Sequence, residues 1–147
     1  MKLLLQRVSH ASVSIDGERE AQIGQGLVAF VGVAKGDKEE DARYLAGKTA
    51  NLRLFPDNEG KMNLSVLDIN GEVLIVSQFT LLADARKGRR PSFVQASLPD
   101  EAEMLFNQFV DMVKKITLNV ATGRFQQNML VEIHNQGPVT IFLDSKA

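Results

Sequence analysis

The stretch "EIHNQGPVTIFLD", residues 132–144, alternates and branches like a β-strand on both flanks, yet it carries Gly137-Pro138 in between. Proline has no N–H to give a sheet ladder, and glycine weakens a strand interior. The pair therefore divides the segment. The sequence predicts two strands, about 129–134 and 138–143, closing the chain as a hairpin, and earlier segments must supply the rest of the sheet.

Those segments are legible. "LLLQRVSHASVSI" (3–15) contains short alternating runs, and Asp16-Gly17 after it reads as a hairpin turn. "GLVAFVGVA" (26–34) is continuously apolar, as expected of a strand covered on both faces. Asp37-Lys38-Glu39-Glu40 reads as a capping box, with Asp37 as N-cap and Glu40 three residues on. Behind it Ala42, Leu45, Ala46 and Thr49 keep helical spacing to about Asn51. "LRLF" (52–55) precedes a turn at residues 56–60, and a strand is predicted from Glu72 to about Phe79. A second helix begins near Ser97-Leu98-Pro99-Asp100, with its apolar stripe at Ala102, Leu105, Phe106, Phe109 and Val113. Lys114 and Lys115 close it, where cations suit the helix dipole. The expected fold is α/β: a single mixed domain over residues 1–147, with two β layers in a barrel-like arrangement and two main helices.

Composition narrows the function. The 147 residues are 44% apolar and 24% charged, with no cysteine, so disulfides, thiolate nucleophiles and zinc–sulfur sites are excluded. No apolar run approaches the roughly 20 residues of a membrane span. The start, Met1 to Arg7, is charged too soon for a signal peptide, so a cytoplasmic address is expected. Net charge is −1, so any contact with nucleic acid must rest on a local patch. Arg86, Lys87, Arg89 and Arg90 form one, and two readings stand for it: a solvated loop, or a set of phosphate contacts.

The run "VLIVSQFTLLA" (73–83) is the second irregularity. Ser77, Gln78 and Thr80 interrupt a buried strand with polar groups. They either satisfy nearby backbone or, together with main-chain N–H groups, polarise a carbonyl in a cleft. A hydroxyl nucleophile needs an activating base. The two histidines, His10 and His134, form no recognisable triad, G-x-S-x-G is absent, and His10 on a strand reads as a structural residue. Asp57, Glu59, Asp68 and Glu72 read as turn chemistry rather than as metal ligands.

"VSQFTL" (76–81) together with "NQGPVT" (135–140) resembles the signature pair of the D-aminoacyl-tRNA deacylases. "LQRVSHASV" (5–13), "GKMNLSV" (60–66), "RRPSF" (89–93) and "TGRFQQNM" (122–129) resemble the same family in the same order, so the likeness spans the chain. It implies that family's fold and the hydrolysis of the ester joining a D-amino acid, or glycine, to tRNA; the residues themselves offer no cofactor motif and no metal-ligand motif such as H-E-x-x-H. It implies a homodimer in which a cis Gly137-Pro138 peptide reaches into the partner's active site. There the two carbonyls select chirality: an L side chain would point into them and a D side chain away. It places Phe79 and Thr80 in the site with Ser77 and Gln78, their N–H groups holding an oxyanion. With no base beside Thr80, a ribose hydroxyl of the tRNA is expected to assist. Arg7, Val139 and Thr140 would support the selector, and Phe125 and Met129 would line an adenine pocket. A non-catalytic module binding RNA 3′ ends, or a hydrolase of small esters, are the rival functions.

Overall fold

A computed structural model describes residues 1–117 and 119–147. The chain runs β1 (Lys2–Ile15), β2 (Glu18–Ile23), β3 (Gly26–Gly32), α1 (Glu39–Asn51), β4 (Phe55–Pro56), β5 (Met62–Leu64) and β6 (Glu72–Ser77). A 3-10 turn (Phe79–Leu82), α2 (Pro99–Ile116), β7 (Val120–Thr122) and β8 (Leu130–Asp144) complete it. Six strands form one barrel-like sheet in the order β2-β1-β3-β6-β7, with β8 on the other edge of β1, while β4 and β5 pair separately.

The local signals explain much of this. Asp16 (φ 51°) and Gly17 (φ 80°) make the left-handed turn that joins β1 to β2. Every residue of β3 is buried, as its unbroken apolar run requires. β3 and β6 pair in parallel, as do β6 and β7, so the links between them must cross over the sheet. α1 and α2 lie in those crossovers. Leu105, Phe106, Phe109, Val110 and Val113 of α2 are buried against Leu45 and Ala46 of α1 and against Leu3, Leu5 and Leu27 of the sheet. Each such side chain stabilises the fold by about 1.5–3 kcal/mol relative to exposure.

A second core lies on the opposite face and is made by strands alone: Val8, Ala11 and Val13 of β1, Ile23 of β2, Val28 and Phe30 of β3, and Leu74 and Val76 of β6. The sheet thus curls so that its own strands face each other across apolar side chains. This is the two-layer, barrel-like arrangement the sequence suggested.

The closing segment departs from expectation. There is no terminal hairpin, because both halves of β8 pair with β1: Val8 lies opposite Asn135 and Gln6 opposite Thr140. Four residues, Gln136 to Val139, therefore face the single residue Arg7, and the Gly-Pro pair forms a wide bulge in one continuous strand. The ladder shifts register at that bulge, between Gln6 and Val8, and again between Val8 and His10. The Gly137–Pro138 peptide is cis. Two smaller boundaries also move. The cap of α1 is Lys38, not Asp37, and Lys38 N–H donates to Asp41 Oδ2 at 2.8 Å. Asp37 is engaged elsewhere, pairing at 2.7 Å with the Met1 ammonium and accepting from Ala34 N–H at 2.6 Å. Strand β6 stops at Ser77, so Phe79 and Thr80 belong to the 3-10 turn.

Candidate active site

A cleft of about 620 Å³ opens where β6 ends, a size typical of small-ligand sites. Ser77, Gln78 and Phe79 form one wall, the start of α2 at Ser97, Pro99 and Ala102 another, and the loop from Phe125 to Met129 a third. The wall at β6 is fixed by the parallel sheet. Val31 and Ser77 are register partners, and the next N–H, that of Gln78, donates to Val31 O at 2.8 Å. There the chain leaves the sheet. Leu81 N–H donates to Gln78 O at 3.2 Å and Ala83 N–H to Thr80 O at 3.1 Å, which closes the 3-10 turn. Its opening residues, Phe79 and Thr80, come before any carbonyl of the turn that could accept their N–H groups.

Gln78 Nε2 donates to the Thr80 hydroxyl. Thr80 is exposed and stands just outside the cleft lining. The Phe79 ring is 57% exposed and meets Phe93 edge-on at 5.0 Å between centroids. Phe125 leans on Phe106 of α2 at 6.1 Å, and Met129 is tucked against the second core. The cleft therefore offers apolar and aromatic surface beside a polar strand end.

Arg7, Gly137, Pro138, Val139 and Thr140 gather elsewhere, outside the cleft of the same chain. Gly137 lies six residues along β8 from Val131 of the cleft wall, about 20 Å at strand rise. Gln136, Gly137 and Pro138 are exposed. Arg7 ties the bulge down, with Nε donating to Gln136 O at 3.1 Å and Nη1 to Leu54 O at 2.7 Å. Asn135 bridges its mouth: Oδ1 accepts Val139 N–H at 3.3 Å and Nδ2 donates to the Thr140 hydroxyl at 3.0 Å. Gln6 Nε2 donates to that same hydroxyl at 3.3 Å. The apolar side of Val139 packs on the first core. The bulge is thus braced by side chains on both of its flanks and presents main chain outward.

A family model described as D-Tyr-tRNA(Tyr) deacylase matches residues 4–144. The chain belongs to that family. By that membership it is a deacylase, a hydrolase of ester bonds. It is 56% identical to the D-aminoacyl-tRNA deacylase of Dehalococcoides mccartyi over 99% of this chain and 95% of that one. It is 55% identical to the protein of the same name from Thermoanaerobacter pseudethanolicus, over 99% and 98%. A solved structure titled c-Myc DNA unwinding element binding protein is 39% identical, covers all of both chains and superposes with a TM-score of 0.95.

In this deacylase the basic loop is only partly free. Arg86 forks onto Asp84, Nε to Oδ1 at 2.9 Å and Nη2 to Oδ2 at 2.7 Å. The Arg86 guanidinium holds the Asp84 carboxyl at about 2, against an ordinary 3.8. Asp84 and Ser92 exchange backbone hydrogen bonds of 2.8 Å, closing the loop at its base. Lys87, Arg89 and Arg90 are left at the exposed tip. His10 is half-buried and meets His134 edge-on at 5.3 Å across β1 and β8, away from the cleft. Asp57 accepts the N–H groups of Glu59 (2.8 Å) and Lys61 (3.0 Å), and Asp68 that of Ser65 (2.8 Å), which is the turn chemistry read from sequence. No helix among the described residues is long and apolar enough to cross a membrane.

Sequence reasoning gave no separate role to Asn135 or to the amides of Gln126, Gln127 and Asn128 in the cleft wall. The only signal for the latter was an unbroken amide run after Phe125. Gln126 holds a left-handed φ of 62°, which no local pattern announces.

Proposed function

We propose that this chain cleaves the ester that joins a D-amino acid, or glycine, to the terminal adenosine of tRNA, leaving L-aminoacyl-tRNA intact. The observation that carries the reading is the turn at the open end of β6, where the Phe79 and Thr80 N–H groups donate to no backbone carbonyl among the described residues, Phe79 on the cleft wall and Thr80 just outside it. Hydrolysis of an ester builds negative charge on the carbonyl oxygen, and two fixed donors at that spot stabilise it. Loss of one such donor typically lowers the rate on the order of 10²–10³-fold.

Neither histidine lines the cleft, so no imidazole base stands beside the Thr80 hydroxyl, which accepts a hydrogen bond from Gln78 Nε2. Thr80 thus serves through its main chain, Gln78 orients its side chain, and Ser77 shapes the floor. The ribose hydroxyl beside the ester activates the attacking water or stabilises the leaving oxygen. Adenine rests against Phe125 and Met129.

Chirality is judged by the carbonyls of Gly137 and Pro138. Their exposure, and their distance from the cleft of their own chain, support insertion into the cleft of a second copy, so that a homodimer completes the site. Arg7, Asn135, Val139 and Thr140 keep those carbonyls stiff. An L side chain would meet them, whereas a D side chain or a hydrogen would not. Side-chain identity is then unread, and many D-amino acids pass. Lys87, Arg89 and Arg90 hold tRNA phosphates.

The test is turnover of matched D- and L-tyrosyl-tRNA by the purified protein. Catalytic release of D-tyrosine with the L ester intact is expected. Equal rates for the two would overturn the selector. Rapid cleavage of a simple D-tyrosine methyl ester would remove the role of the RNA.

A further inference from the structure

Gly32 ends β3 opposite the catalytic turn, and its φ is not left-handed, so backbone conformation does not require a glycine there. Space does. A Cβ built on Gly32 would lie 2.6 Å from Leu82 Cδ2, 3.0 Å from Gln78 O and 3.1 Å from Leu81 Cβ. All three atoms belong to the segment that carries Phe79 and Thr80. Gln78 O is the carbonyl that accepts Leu81 N–H to close the turn, and the Cβ of Leu81 moves only with its main chain. Leu82 is 3% exposed, so its methyl has nowhere to retreat. An added methyl group must therefore push the turn as a unit. The Gln78 N–H bond to Val31 O, 2.8 Å, is the tether it would strain.

We propose that Gly32 is a positioning residue for the oxyanion-binding turn: its missing side chain lets the turn seat against β3, and that seating aims the Phe79 and Thr80 N–H groups. The inference rests on the ester-hydrolase reading for its kinetic consequence but not for its geometry. Gly32 touches no substrate and acts only through the turn. Placement errors of this kind act on the transition state, since donors must meet the oxyanion and not the ground-state carbonyl.

The test compares Gly32→Ala with Leu45→Ala, which empties part of the buried core between α1 and the sheet, away from the turn. Both are assayed at a temperature where both are folded, with two readouts. In the first, amide NMR shifts of Phe79 and Thr80 should move in Gly32→Ala, while those of β2 and β7, which pair away from Gly32, stay in place. In the second, kcat on D-tyrosyl-tRNA should fall on the order of 10- to 100-fold with KM within about twofold. Leu45→Ala should keep both its turn amides and its kcat. Unmoved Phe79 and Thr80 amides would overturn the inference, as would an equal loss of kcat in the two variants. If wild type fails to hydrolyse the ester, the functional reading falls, and the amide shifts alone decide whether Gly32 seats the turn.

Discussion

Arg7 and Gly137 meet across the β1–β8 ladder so closely that a Cβ on Gly137 would stand 2.9 Å from Arg7 Nη2. Gly137 also holds φ +125°, where an L side chain is strained in any case. The guanidinium fills the space a side chain would take and fastens the bulge through Gln136 O and Leu54 O. Arg7→Lys keeps the charge but loses the planar fork that serves two carbonyls at once. The variant should fold, retain D-tyrosyl-tRNA hydrolysis and begin to accept L-tyrosyl-tRNA. The D-to-L ratio of kcat/KM should drop on the order of tenfold. An unchanged ratio in a folded variant would separate Arg7 from selection.

Thr80→Ala removes the hydroxyl but keeps the main-chain N–H. If that N–H is what works, kcat should stay within about tenfold of wild type, since general acid–base or nucleophilic roles are worth more than that. A tRNA ending in 2′-deoxyadenosine should be nearly inert with either protein. A dead, folded Thr80→Ala would restore the threonine as nucleophile.

The loop beyond the turn makes an ionic prediction. Replacing Lys87, Arg89 and Arg90 together with glutamine should weaken tRNA binding. The slope of log Kd against log salt should become shallower by about 2–3, since each phosphate contact contributes roughly 0.7–0.9. Arg86→Gln should change that slope far less, because Arg86 is already held by Asp84. Fluorescence titration at several salt concentrations reads both. Equal slopes for wild type and the triple variant would return the tip to plain solvation.

Asp41 gives stability a pH dependence. Burial acts to raise its pKa, but the Lys38 N–H, the Ser145 hydroxyl and the Lys146 ammonium outweigh it and hold the carboxyl at about 2 against 3.8. A depressed carboxyl pKa stabilises the fold fully above the unfolded value, and the gain is lost as pH falls toward the folded one. The Tm advantage of wild type over Asp41→Asn should therefore be constant from about pH 5 to 8, shrink between about pH 4 and 2, and vanish below. Thermal melts across that range check it, and a gap that persists at the acid end would contradict it.

How much of this was legible beforehand follows from where each signal lives. The β1–β2 turn, the buried run of β3, the span of α1 and the α2 stripe through Phe109 and Val113 are written in neighbours a few residues apart, and the chain obeys them. The cap of α1 was misplaced by one residue because Asp37 answers to Met1, a partner far off in sequence. The expected end of β6, about Phe79, lies two residues too far because no glycine or proline after Glu72 marks a stop there, whereas the tertiary pairing with β3 ends at Ser77. The roles expected of Ser77 to Thr80 and of Arg7 with Gly137-Pro138 came from family likeness, and local pattern alone left them open.

Sequence by itself determined the periodicities, the turns and the absence of cysteine chemistry, because these depend on a residue and its near neighbours. Tertiary structure alone decided that residues 130–144 are one strand laid along β1, that Gly137 and Pro138 bulge out opposite Arg7, and that the turn at Phe79 seats on a side-chain-free Gly32. Proline and glycine forbid regular pairing wherever they stand. Whether the chain then folds back on itself or bulges past them depends on the strand beside them, and that partner lies more than a hundred residues away.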